Sequence, residues 1–181
     1  PNTPGLRELQ EKEALSEILQ AVQLNNLYRI PLFVKLSPDL SATAAAEAAQ
    51  VAIDEGCSGL IAVNTTKERL TQASQLLAQE GGLSGKPLQD PALKFVEQLY
   101  QNTEGKIPII GVGGIETAYD ACLMLCAGAS AIQLYTGLIY QGPSIASDVN
   151  KGLLRILRDK EISSISELCH LHHRRESGLL A

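Results

Sequence analysis

Two stretches of the chain place glycine directly behind an apolar run: Ile107 to Gly114 (Ile-Pro-Ile-Ile-Gly-Val-Gly-Gly) and Ala131 to Gly137 (Ala-Ile-Gln-Leu-Tyr-Thr-Gly). Each reads as a buried parallel strand whose end lets the backbone approach a ligand closely, because glycine has no side chain to hold it off. Bare amides at such ends are donors for an anion, and the two ends are expected to share one phosphate. Other strand ends carry polar side chains. Lys35 stands in the apolar run Leu32 to Leu36, just before Ser37-Pro38-Asp39, and Asn64, Thr65 and Thr66 close the run that begins at Gly59. A lysine in a buried strand is costly unless its ammonium reaches the strand's end, where it either snorkels to solvent or serves as a fixed cation. The remaining candidate is Gly81-Gly82-Leu83-Ser84-Gly85, which follows a stretch from Lys67 with no clear periodicity. Such a loop is either a cover over a ligand or a flexible surface segment.

The elements that must position these groups follow from spacing. An amphipathic helix is expected over Leu6 to Leu24, with Leu15, Ile18, Leu19 and Val22 on one stripe. Ser41 or Thr43 caps an alanine-rich helix that runs through Ala52 and stops at Gly56. Asp90 and Pro91 are the expected N-cap and first residue of a third helix carrying Phe95, Val96, Leu99 and Tyr100. Glu116 to Ala127 reads as a helix ending at Gly128, Ala131 to Tyr135 as a strand, and a final helix starts near Pro143 with Ile145, Val149, Leu153, Ile156 and Leu157 on its stripe. Strands separated by helices imply parallel pairing through right-handed crossovers. A dinucleotide fold places its glycines after the first strand, whereas here they come late, as in a TIM-type (β/α)8 barrel whose last two strand-end loops bind phosphate. The expected fold is therefore the C-terminal half of such a barrel over residues 1–160, followed by a tail over 161–181.

Composition bounds the function. With 181 residues, 45% hydrophobic content and a net charge of −5, the chain can bury a real core and has no basic surface for a nucleic acid. No apolar run is long enough to span a bilayer. Cys57, Cys122, Cys126 and Cys169 form no Cys-x-x-Cys pair; Cys122 and Cys126 are read as small core residues rather than metal ligands, and no metal is expected. His170, His172 and His173 lie beside Arg174 and Arg175 in what reads as a solvated tail. The opening Pro1-Asn2-Thr3-Pro4-Gly5 has no initiator methionine and no strand before it, so the chain is expected to be a piece of something longer.

Pro1-Asn2-Thr3-Pro4-Gly5-Leu6-Arg7, Val34 to Leu40, Asn64-Thr65-Thr66, Gly81 to Leu88, Ile107 to Gly114 and Gly128 through Tyr135 together resemble dihydroorotate dehydrogenase, in unbroken order from Pro1 to about Leu157. Gly5-Leu6-Arg7 with Leu9-Gln10, and Tyr135 through Pro143, look more like the quinone-using class 2 than the soluble class 1. The resemblance implies an FMN barrel that oxidises dihydroorotate to orotate in pyrimidine synthesis and is reoxidised by ubiquinone or a related quinone. It also implies association with a bacterial or mitochondrial inner membrane, through an N-terminal region beyond these residues. The alternatives left open are another FMN or sugar-phosphate barrel and a non-catalytic half-barrel that pairs with itself or acts as a scaffold.

Carried over position by position, the resemblance implies that Asn2, Asn64 and Thr65 bind the orotate ring, with Asn64 also near the flavin, and that Thr3 sits in the proton-relay neighbourhood. Lys35 lies against the pyrimidine end of the flavin, where a fixed cation stabilises charge. Ser84 and Gly85 cover the flavin, the amides of Gly113, Gly114, Tyr135 and Thr136 hold its phosphate, and Tyr135 borders the quinone passage. Two departures stand out: the class 2 base is a serine immediately before Pro-Asn-Thr, where this sequence begins, and Val63 occupies a position where many relatives have a threonine on the flavin. Because a positioned base contributes roughly 100- to 10,000-fold, the 181-residue polypeptide alone is expected to be inactive and to bind FMN weakly or not at all.

Overall fold

The computed structural model describes Gly5, residues 8–68 and residues 81–174, with the side chains of 170–174 outside that description. The first helix, α1 (Lys12–Asn25), starts later than Leu6, because Glu8–Gln10 form a 3-10 turn instead. The turn has a use: Gln10 Oε1 accepts the Ser37 amide at 2.8 Å and pins the turn to the end of the first strand. Leu15 and Leu19 of α1 are buried, while Ile18 and Val22 stay 38% and 42% exposed, so only part of the expected stripe faces the core.

Then come β1 (Phe33–Leu36), α2 (Ala42–Asp54), β2 (Gly59–Ala62), α3 (Gln89–Thr103), β3 (Ile109–Val112), α4 (Ala118–Cys126), β4 (Ala131–Gln133), α5 (Thr136–Gln141), α6 (Ile145–Asp159) and α7 (Ile165–Arg174). Ser41, not Thr43, caps α2, its hydroxyl accepting from the Ala44 amide at 3.2 Å. The buried faces of Ala45, Ala48, Ala49 and Ala52 let this helix close on the sheet without bulk between them. Asp90 does not cap α3. The 3-10 turn Lys86–Leu88 runs straight into Gln89, which places Pro91 in the first turn, where amides lack helical partners and proline costs little.

The four strands pair in parallel in the order β1-β2-β3-β4, with Val34 beside Leu60, Leu60 beside Ile109 and Gly111 beside Ile132. A doubly wound sheet reverses its strand order at a switch point. Sequential order with right-handed crossovers instead keeps every helix on one face, which is the geometry of a barrel wall. Val34, Leu36, Leu60, Ala62 and Ile109 are buried under the helices. Phe33 and Lys35 on the opposite face are exposed. Gly111 is required by this packing, since a Cβ there would lie 2.3 Å from Met124 Cγ.

The strands end earlier than their apolar runs, at Ala62 rather than Asn64 and at Gln133 rather than Tyr135. Residues past those points leave the ladder and turn toward the site. Helix α5 was not expected, and α7 lies within the stretch read as a tail, with Leu168 only 1% exposed. Helix α6 carries its predicted stripe, and Gly152 on it sits where a Cβ would come within 2.2 Å of Ala118 Cβ, so α6 crosses the start of α4 at close range.

Candidate functional site

At the C-terminal ends of the strands lies a cleft of about 540 Å³. Lys35 enters it from the end of β1, and Val63, Asn64 and Thr65 from the exit of β2. Ser84, Gly85 and Leu88 come from the segment before α3, Val112 to Glu116 from the exit of β3, and Gln133 to Gly137 from the exit of β4. Lys35, Asn64, Thr65, Ser84, Gly85, Gly113, Gly114, Tyr135 and Thr136 therefore line one cavity although they are spread across a hundred positions of sequence. Asn2 and Thr3 lie outside the described residues, as does most of the unpatterned stretch after Lys67, at 69–80.

The cleft offers a fixed set of donors. Among the described residues, no hydrogen bond uses the amides of Gly113, Gly114, Tyr135 or Thr136, and no ion pair uses the Lys35 ammonium. Unpaired amides and a cation in one cavity suit an anionic ligand with a polar body. The glycines could not be exchanged freely. Gly113 (φ 131°) and Gly114 (φ 67°) adopt left-handed backbone, and a Cβ on Gly114 would lie 2.5 Å from Gln89 Cβ. Asn64 Oδ1 accepts the Thr65 amide at 2.9 Å, which orients the asparagine side chain at the strand exit.

The segment from Gly81 to Gln89 crosses the cleft as a strap. Leu83 and Thr66 exchange backbone hydrogen bonds of 2.7 and 3.1 Å at one end. Thr66 in turn donates its hydroxyl to Asp39 Oδ1, and Asp39 Oδ2 accepts the Lys67 amide at 2.9 Å. In the middle of the strap, the hydroxyls of Thr136 and Ser84 meet at 3.1 Å. At its far end Lys86 pairs with Asp120 at 2.8 Å. Burial raises the Asp120 pKa, but hydrogen bonds from Lys86, Gln89, the Glu116 amide and Thr117 outweigh it and hold the carboxyl at about 2.

Sequence reasoning missed Gln133 and Asp120. Gln133 shares the face of Lys35 by strand register, a signal present in the alternation of Ala131-Ile132-Gln133. Asp120 was legible only as a partner of Thr117 at capping-box spacing. The cysteines behave as core: Cys122 and Cys126 are buried, and the Cys126 thiol is pushed up by its hydrogen bond with Cys122 and by burial. Among the described residues no three acidic, histidine or cysteine side chains converge on a common point.

The family model for dihydroorotate dehydrogenase matches residues 1–157. The chain belongs to the dihydroorotate dehydrogenase family. Among curated relatives, the dihydroorotate dehydrogenase (quinone) of Rippkaea orientalis (strain PCC 8801 / RF-1) is 46% identical over 96% of this chain and 48% of its own length. That of Anaeromyxobacter sp. (strain K) is 44% identical over 100% of this chain and 51% of its own. The chain thus spans about half the length of the curated relatives it matches, and corresponds to their C-terminal part. Two solved structures of Eimeria tenella DHODH superimpose on it. The complex with ferulenol has a TM-score of 0.88 at 38% identity, covering 97% of this chain and 52% of that one; the ligand-free form has 0.89 at 39%, covering 97% and 54%. The sheet and helices described here therefore match about half of the TIM barrel of those structures, and the family is one of flavin-dependent oxidoreductases in pyrimidine biosynthesis.

Proposed function

We propose that these residues form the C-terminal half of an FMN-dependent enzyme that oxidises dihydroorotate to orotate and passes the electrons to ubiquinone or a related quinone. The observation that carries the proposal is the convergence of Lys35, Asn64, Thr65 and four unpaired strand-end amides in one cleft, in a chain of this family. When bound, FMN supplies the acceptor for the hydride that leaves the substrate.

The chain's own residues prepare that chemistry. The amides of Gly113, Gly114, Tyr135 and Thr136 hold the phosphate, and Ser84 and Gly85 close over the cofactor. Lys35 presents a cation that no carboxylate among the described residues neutralises, so its field is available where negative charge develops. Asn64 and Thr65 orient the pyrimidine ring together with Asn2, Thr3 stands in the proton-relay neighbourhood, and Tyr135, 74% exposed, borders the quinone passage. Association with a membrane is proposed from the quinone-dependent relatives, and no helix among the described residues is long and apolar enough to cross one.

The test uses the purified enzyme that contains these residues. Denaturation should release FMN, identified by mass and absorbance, and the native enzyme should oxidise dihydroorotate with a quinone acceptor. Release of a different flavin, or of none, would overturn the assignment.

A further inference from the structure

Asp120 divides its two oxygens between the two walls of the cleft. Oδ2 accepts the amides of Glu116 and Thr117 at 3.1 and 2.9 Å and the Thr117 hydroxyl at 2.9 Å, all in the loop that carries Gly113 and Gly114. Oδ1 accepts from Lys86 Nζ at 2.8 Å and from Gln89 Nε2 at 2.5 Å, both at the end of the strap that carries Ser84 and Gly85. A helix cap needs only the first set. The second joins segments 34 and 31 positions away in sequence and contributes nothing to starting α4.

We propose that Asp120 and Lys86 are positioning residues for the cofactor: one carboxylate latches the Ser84–Gly85 strap to the Gly113–Gly114 loop and so sets the width of the anion end of the cleft. The inference rests on the flavin reading above. Neither Asp120 nor Lys86 lines the cleft, so both act through the loops they hold. The loops need holding, because glycine backbone has many conformations to lose and the unpaired amides do not restrain it. Elsewhere the strap is tied to Thr66 and Thr136, on the exits of β2 and β4. The Asp120 latch is what ties it to the exit of β3, where Gly114 already packs against Gln89 with no room for a Cβ. The carboxylate is 6% exposed and Lys86 is 53% exposed. Removing the lysine therefore leaves Asp120 with its other donors and should not unfold the protein.

The experiment compares wild type, Lys86→Met, Lys86→Arg and Asp120→Asn in the flavin enzyme. Readouts are the FMN dissociation constant, hydrogen exchange of the Leu83 and Leu88 amides in apoprotein, and thermal midpoint. Lys86→Met should weaken FMN binding about fivefold, the worth of one partly exposed charged pair. The strap amides should exchange faster while the midpoint moves by no more than about 1 °C. Lys86→Arg should restore both, and Asp120→Asn, if it folds, should weaken binding further. Unchanged affinity and exchange in Lys86→Met, or an affinity loss that merely tracks the thermal midpoint and is not restored by arginine, would overturn the latch. If wild type binds no FMN yet Lys86→Met still loosens the strap amides, the flavin reading fails and the latch stands.

Discussion

On the helix-facing side of the sheet, Leu36, Leu60, Ala62 and Ile109 are 0% exposed, whereas on the opposite side Phe33 remains 42% exposed and Lys35, Ala131 and Gln133 are open. The same four strands supply both faces, one residue apart in register. Helices α2, α3 and α4 cover the helix side with their alanine, leucine and methionine side chains. The other side is one wall of a barrel interior, which in a closed barrel is filled by layers contributed from all strands. The buried apolar core is thus concentrated on one face, and the polar groups of the cleft lie at the end of the other.

The sharpest way to break that contrast is to truncate one residue on each face. Leu60→Ala should lower the stability of the chain by about 3 kcal/mol, as expected for a fully buried leucine, whereas Phe33→Ser should cost less than about 1 kcal/mol. Urea midpoints of the two variants would check this, and equal losses would mean that the inner face is also packed. On the proposed function, Lys35→Met should slow dihydroorotate oxidation about 100-fold in the enzyme that contains these residues, with stability nearly unchanged. Steady-state kinetics alongside a thermal melt separates the two effects.

A smaller effect follows from Asp120, which sits where the two regions meet. Its folded pKa of about 2 lies below the ordinary 3.8, so ionisation favours the folded state. The contribution, about 2 kcal/mol, is fully present above about pH 4 and is lost as pH falls through about 2. Asp120→Asn should flatten the acid limb of the stability curve between those values, measured by urea unfolding across pH. An unaltered slope would show that the carboxylate is not stabilised by folding.

Local signals made much of this legible. The alanine stripe of α2, the apolar stripe of α6, the cap at Ser41 and the left-handed exit at Gly56 all lie within one element, where spacing alone reports the environment. Strand-end positions likewise marked Lys35, Asn64, Gly113 and Tyr135 as candidates, because parallel α/β sheets keep ligands at the C-terminal ends of their strands, and a glycine-rich loop marked Ser84. The misses trace to long-range hydrogen bonds at two helix starts and to the shortness of one helix. The late start of α1 depends on Gln10 binding the Ser37 amide, the early start of α3 on a 3-10 turn tied into the Asp120 network, and α5 is too short to show periodicity.

By itself the sequence determined the alternation of strand and helix, the parallel pairing and the late glycine clusters, because hydrophobic period and glycine placement act over a few residues. Only the tertiary structure decided that Lys35, Asn64, Gly114 and Thr136 share one cleft, and that Asp120 serves two loops with separate oxygens. The physical reason is reach. A hydrogen bond extends about 3 Å, and nothing in local spacing reports which residues from distant strands the folded sheet brings within that distance.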